Sequence, residues 1–269
     1  MQLASIIKRV AADLPYPERV RLSRLNKFVK NWVKQECDGL LDYEVISFEE
    51  WLASRKDYTE KTKNKFREMR RIIDLEINEL EPEARLTWIV NFTKYESYTE
   101  WKFCRGIYSR ADWMKVLFGP MIHSVEAKVF KRYEFIKKVP VGLRPNYIST
   151  IFSPDHLVYS TDYTSFESSF RASIKRSCEH HVLRHMVKNT SFELLMETFL
   201  NITSGMNYIE SNTGVVALLQ ARRMSGEMDT SLCNGFTNLM MIYFMANELA
   251  IDWRTVSCIV EGDDALIQH

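Results

Sequence analysis

No stretch of this 269-residue chain offers the roughly 18 consecutive apolar residues that a membrane-spanning helix needs. The N-terminus lacks the basic head and short apolar core of a secretory signal. The chain therefore reads as having no membrane segment of its own, and any tether lies in regions or partners outside it. Excess charge is missing as well: 36 Lys and Arg stand against 35 Asp and Glu, a formal net charge of +1. Such a balance carries no bulk signal for nucleic acid, so local clusters of charge decide the matter. Cysteine is scarce, with Cys37, Cys104, Cys178, Cys233 and Cys258 scattered and odd in number. They have no metal-ligand spacing and read as free thiols in a reducing compartment. What is plentiful is apolar residue, 46% of the chain, enough to bury a substantial core as one large domain or two.

The first 46 residues read as helical pieces broken at Pro15 and Pro17, with Leu22, Leu25, Val29 and Trp32 near helical spacing. Ser47 with Glu50 has the spacing of a capping box, and so has Asp57 with Glu60, which opens a long helix towards Leu80. That helix carries Lys61, Lys63, Lys65, Arg67, Arg70 and Arg71, either a solvated charged face or a phosphate-contacting surface. Leu86–Phe92 is β-branched and aromatic enough for a strand. A mixed helical pattern follows Arg110, with a break expected at Gly119-Pro120, and Pro140–Pro154 reads as a connector. His180, His181 and His185 fall in a helical stretch. They lack the Glu of a His-Glu-x-x-His pair, so a structural role is the better reading than zinc.

Three stretches carry the chemistry. Asp162-Tyr-Thr-Ser-Phe-Glu167 follows a strand-like run, Leu157–Thr161. Ser225-Gly-Glu-Met-Asp-Thr230-Ser-Leu-Cys-Asn234 opens a long apolar helix. Val256–Ile267 reads as two short strands joined by a turn, Gly262-Asp263-Asp264, with glycine supplying an unusual backbone angle. Carboxylates held side by side at a rigid strand junction suit a hard cation such as magnesium. Upstream, residues 92–110 interleave Lys94, Lys102, Arg105 and Arg110 with aromatic residues, a local cationic cluster fit for a polyanion.

In the order Asp-x4-acid, Ser-Gly-x3-Thr-x3-Asn and Gly-Asp-Asp, these stretches resemble motifs A, B and C of positive-strand viral RNA-dependent RNA polymerases. The wording is most similar to the tombusvirus-like group. Residues 92–110 resemble that family's basic motif F. The resemblance covers roughly Phe92–Ile267 and is strong at A, B and C. It implies an α+β fold built as a right hand, with fingers over residues 1–154 and a palm over 155–269. The palm would be an antiparallel sheet flanked by helices, cut short after motif C, with the thumb absent.

The implied reaction is RNA-templated RNA synthesis for viral genome replication, by attack of an RNA 3′-hydroxyl on a nucleoside triphosphate. Two metal ions, magnesium or manganese, would assist it. Asp162, Asp263 and Asp264 are the implied metal ligands, and Lys94, Lys102, Arg105 and Arg110 the triphosphate contacts. Glu167, Ser225, Thr230 and Asn234 would read the ribose 2′-hydroxyl. Glutamate at 167 is a departure, since the group usually carries aspartate there. The implied partners are an RNA template, the nascent strand and nucleoside triphosphates. The implied setting is the host cytoplasm, in membrane-associated replication complexes. The alternative is a polymerase-like fragment that binds RNA without turnover. A two-metal nuclease would leave the Ser-Gly-x3-Thr-x3-Asn pattern unexplained.

Overall fold

The computed structural model describes residues 2–12, 15–76, 86–101, 103–163 and 166–269. Its N-terminal helices are α1 (Gln2–Ser5), a π turn over Ile6–Val10, and α2 (Arg19–Glu36). Then come α3 (Phe48–Ser54) and α4 (Glu60–Glu76). The Ser47 capping box forms as expected: Ser47 Oγ accepts from the Glu50 amide, and Glu50 returns the bond to the Ser47 amide. The expected Asp57 box does not form. Thr59 caps α4 instead, its Oγ1 accepting from the Thr62 amide at 3.2 Å, while Asp57 pairs with Arg55. A threonine hydroxyl can fill the same orphan-donor site two residues later. The end of that helix towards Leu80 lies outside the described residues.

Along α4, Lys63, Lys65, Arg67, Arg70 and Arg71 each pair with an acid. That is the pattern of a solvated charged face. Next come β1 (Trp88–Thr93) and β2 (Gly106–Arg110), then α5 (Asp112–Val129). The break expected at Gly119-Pro120 is absent, and α5 runs straight through Pro120. An interior proline costs about 3 kcal/mol, but Val116, Phe118, Met121, Ile122 and Val125 are all buried along this helix. Their burial outweighs one missing hydrogen bond. Gly119 lets the Trp51 ring lie on the helix, since a Cβ there would sit 2.4 Å from the ring.

The connector is itself ordered. α6 (Arg144–Ile151) starts with Pro145 in its first turn, where a proline's missing N–H goes unneeded. Ile136, Phe152 and Ile259 form a small core beside it. The remaining elements are β3 (Tyr159–Thr161), a 3-10 turn at Phe166–Ser169, α7 (Ala172–Ser177), α8 (Glu179–Met186) and α9 (Glu193–Ser204). After them come β4 (Met206–Ser211), β5 (Val216–Gln220), α10 (Thr230–Glu248), β6 (Ser257–Glu261) and β7 (Asp264–Gln268). The helical stretch that holds the three histidines is α8, separated from α7 at Cys178, which sits at φ −126° and ψ −90°.

The architecture is α+β. A mixed four-stranded sheet has the order β2-β1-β4-β5, with β1 parallel to β4 and the other pairs antiparallel. A separate three-stranded sheet, β3-β7-β6, is antiparallel throughout. The larger sheet draws two strands from each side of residue 154, so the two segments share one sheet. The main apolar core likewise joins α2, α5, α8 and α10, with Trp32, Phe118, Val182 and Phe236 among its buried members. The long apolar face of α10 is core packing, as its pattern indicated.

Candidate active site

The smaller sheet places the acidic residues. Glu261 pairs with Asp264 across the β6–β7 hairpin, leaving Gly262 and Asp263 as a two-residue turn. Gly262 has φ 66°, the positive value that tight hairpins require at this position. Thr161 is in register with Ala265. Antiparallel pairing therefore brings Asp162, the next residue, opposite Asp264. The electrostatics agree: burial and the neighbouring charges of Asp263, Asp162 and Glu261 raise the Asp264 carboxyl above its usual range. The resulting seat is oxygen-rich and short of positive charge, the donor chemistry a hard divalent cation prefers.

The spacing is looser than that of a closed metal cage. Among the described residues, the group whose ligand atoms all lie within 4.8 Å of one another is Glu179, Asp229 and Cys233. That buried triad could hold a metal ion by spacing, yet it already surrounds a cation. Arg223 donates to Glu179, and to Asp229 at 2.8 Å.

Arg223 belongs to a buried ion network that sequence reasoning missed. Arg223 also reaches Glu227 at 3.5 Å, and Glu227 accepts from Arg110 Nε at 2.5 Å. Arg110 further donates to Asn207 Oδ1 at 2.6 Å. Lys175 lies 3.9 Å from Glu179 and donates to the Thr203 carbonyl. Burial pushes the Lys175 ammonium down and the Glu179 carboxyl up, against the attraction of their ion partners. Three cations and three carboxylates balance, which is how charge survives out of water. No spacing rule could have found this network, because Arg110 and Glu227 are 117 positions apart.

One expectation is corrected here. Arg110 is 4% exposed and committed to this network through Nε and Nη2, so it does not present a free cation to a triphosphate. Lys94 and Arg105 differ. They sit across the β1–β2 hairpin, where the Lys94 amide donates to the Arg105 carbonyl at 2.8 Å. Both side chains are about half exposed and share Glu96, which Lys94 contacts directly and Arg105 approaches at 3.9 Å. Bonds from Lys94 and Tyr98 hold the Glu96 carboxyl below its usual range. Lys102 lies outside the described residues.

The Ser225-Gly226 turn is stitched onto β2. The Gly226 amide donates to the Tyr108 carbonyl at 2.8 Å, and the Tyr108 amide donates to Ser225 Oγ at 3.3 Å. A Cβ on Gly226 would lie 2.7 Å from the Tyr108 carbonyl oxygen, so only glycine permits this approach. Thr230 Oγ1 donates to the Met224 carbonyl. Asn234, one turn into α10, is buried with its Oδ1 unpaired. Glu167 is half-buried in the 3-10 turn, and its carbonyl accepts from the Arg223 amide.

A second missed residue is Asn238. Its Nδ2 donates towards the carbonyls of Gly262, Asp263 and Asp264 at 3.2, 2.9 and 3.2 Å. A further helical turn from Asn234, it ties α10 to the Gly-Asp-Asp turn. Glu261 is held from the other side by Arg144, at 2.6 and 3.2 Å. The three histidines point to separate partners: Ser204 for His180, Asn26 for His181 and the Cys37 carbonyl for His185. All five cysteines are free thiols. No helix among the described residues is long and apolar enough to cross a membrane. No family model and no curated protein matches the chain.

Proposed function

We propose that this chain is the fingers and palm portion of an RNA-dependent RNA polymerase, acting in replication of a viral RNA genome. One observation carries the reading. Three stretches far apart in sequence meet at one turn: Asp162 stands opposite Asp264 through the β3–β7 register, and Asn238 of the Ser-Gly helix grips the same turn.

In this reading Asp162 and Asp263 hold a pair of divalent cations, and Asp264 assists. When bound, the ions supply Lewis-acid activation of the attacking 3′-hydroxyl and charge stabilisation on the pyrophosphate. The chain's own residues do the rest. Lys94 and Arg105 meet the triphosphate, with Glu96 holding the two cations together. Glu167, half-buried, is the more accessible acceptor for a ribose 2′-hydroxyl. The unpaired Oδ1 of Asn234 is buried and meets a ribose only once the loop before α10 moves. Ser225 and Thr230 serve by fixing the loop that joins β5 to α10 against β2, since their hydroxyls are engaged there. The two sheets then correspond to part of the fingers and part of the palm of a right hand.

The test is template-directed incorporation of a labelled ribonucleotide in the presence of magnesium, with Asp162→Asn as control. Incorporation lost in the variant supports the reading. RNA retention without incorporation by the unaltered protein would leave an RNA-binding module instead.

A further inference from the structure

The four-stranded sheet has one face that its own core does not need. Its inner face is closed by Ile6, Val10, Ile89, Tyr108, Ile209 and Met224. On the opposite face, β1 presents Trp88, Val90 and Phe92. The register places Tyr208 of β4 beside Trp88, and Leu218 and Val216 of β5 beyond it. These six side chains are 37–62% exposed. Trp88 and Tyr208 meet edge to face, with ring centroids 5.9 Å apart.

A sheet with one solvated face ordinarily alternates apolar inward and polar outward; this one carries rows of apolar side chains on both, with Asn91, Arg110 and Asn207 among the buried positions. With Met206, also outward and half exposed, the face leaves on the order of 600 Å² of apolar surface, the upper end of what monomers show. Charge on it is nearly absent. Among the outward positions of the four strands the charged residue is Glu210, itself half-buried.

We infer that this face is a homotypic interface, on which a second copy of the chain packs sheet against sheet. The inference does not rest on the polymerase reading. Lys94 and Arg105 lie beyond Phe92 and Ile107 at one end and share Glu96. Away from them the face has one carboxylate and no cation, and its middle is a poor platform for a polyanion, which needs lysine or arginine to neutralise its phosphates. The same neutrality lets the face meet its own copy with little like-charge repulsion, the condition a two-fold, self-complementary interface must satisfy. Two such faces would together bury about 1,200 Å², which reaches the lower limit of specific, stable interfaces. Aligned packing of twisted sheets is the geometry that interdigitates rows of this kind.

The test is sedimentation velocity of the purified chain across the micromolar range, beside Val90→Lys and Leu218→Lys. Both positions point away from the core, so far-UV circular dichroism and the thermal midpoint should match the unaltered chain. The expected result is a concentration-dependent dimer for the unaltered chain, weakened at least tenfold by either lysine. Leu218, on the edge strand and the most exposed of the six, decides the matter alone should Val90→Lys fail to fold. A chain that stays monomeric throughout, or a dimer indifferent to Leu218→Lys, overturns the inference. So does ultraviolet crosslinking of RNA to Trp88, which would make the face a base-stacking surface.

Discussion

The side-chain amide of Asn238 donates to the main-chain carbonyl of Asp263 at 2.9 Å, with the carbonyls on either side of Asp263 also in reach. One residue of α10 thus fixes the backbone on which both acidic side chains stand. Gly235, one turn earlier, packs beside the same turn: a Cβ there would touch the Gly262 nitrogen at 3.5 Å, an ordinary van der Waals contact. The hairpin's position is therefore set by a helix, not by its own two strands alone.

Asn238→Ala should loosen the turn without unfolding the protein. Removing a hydrogen bond to part-buried carbonyls costs about 1 kcal/mol. Chemical denaturation should show that loss, and hydrogen exchange should speed at residues 261–265 while β1 and β2 are unchanged. Uniform exchange across both sheets would show that Asn238 stabilises the fold generally and does not address the turn.

Arg223→Met should be among the most damaging substitutions in the chain. It removes the cation between Glu179 and Asp229 and leaves both carboxylates buried, a loss of about 3–5 kcal/mol. The pairing of Arg67 with Glu49 is a useful contrast, being exposed on both sides; Arg67→Met should leave the urea midpoint nearly unmoved. Arg110 and Arg105 should separate in the same way. Arg110→Ala should lower stability, whereas Arg105→Ala should keep stability and raise the KM for every nucleoside triphosphate alike. Equal stability for the two variants would contradict the burial argument.

Much of the local design was legible in the sequence because it is written in adjacent residues. The Ser47 cap, the Gly262 turn, the strand before Asp162 and the apolar face of α10 all depend on short-range pattern. The failures share a cause. Pro120 signals a break, but tertiary burial along α5 overrides it. Arg110 sits among the cations of a basic stretch, and only the fold reveals that strand alternation turns it inward to Glu227. The parallel pairing of β1 with β4 joins segments more than a hundred residues apart, and no local period encodes it.

Acid should destabilise the protein before most carboxylates titrate. Burial, reinforced by nearby cations that include Arg184, holds His180 down at about 3 and His181 at about 4, from an ordinary 6.5. The folded values lie below the unfolded one, so the unfolded chain takes up protons first as pH falls. The stabilisation is complete above pH 6.5 and is lost as pH drops from there towards the folded values. Each histidine contributes a slope of up to about 1.4 kcal/mol per pH unit in that window. Urea midpoints at pH 7.5, 6.5 and 5.5 should fall accordingly, and His180→Gln should flatten the dependence. An unchanged slope in that variant would mean that His180 is not the group protonated on unfolding.

The most direct test of the proposed polymerase activity is a paired measurement on Asp263→Ala: nucleotide incorporation and RNA affinity, side by side. The account predicts that incorporation is abolished while RNA binding stays nearly intact, because metal ligation rests on the carboxylates and affinity on the basic residues. Incorporation above a few per cent of the unaltered protein, with the variant folded, would contradict it.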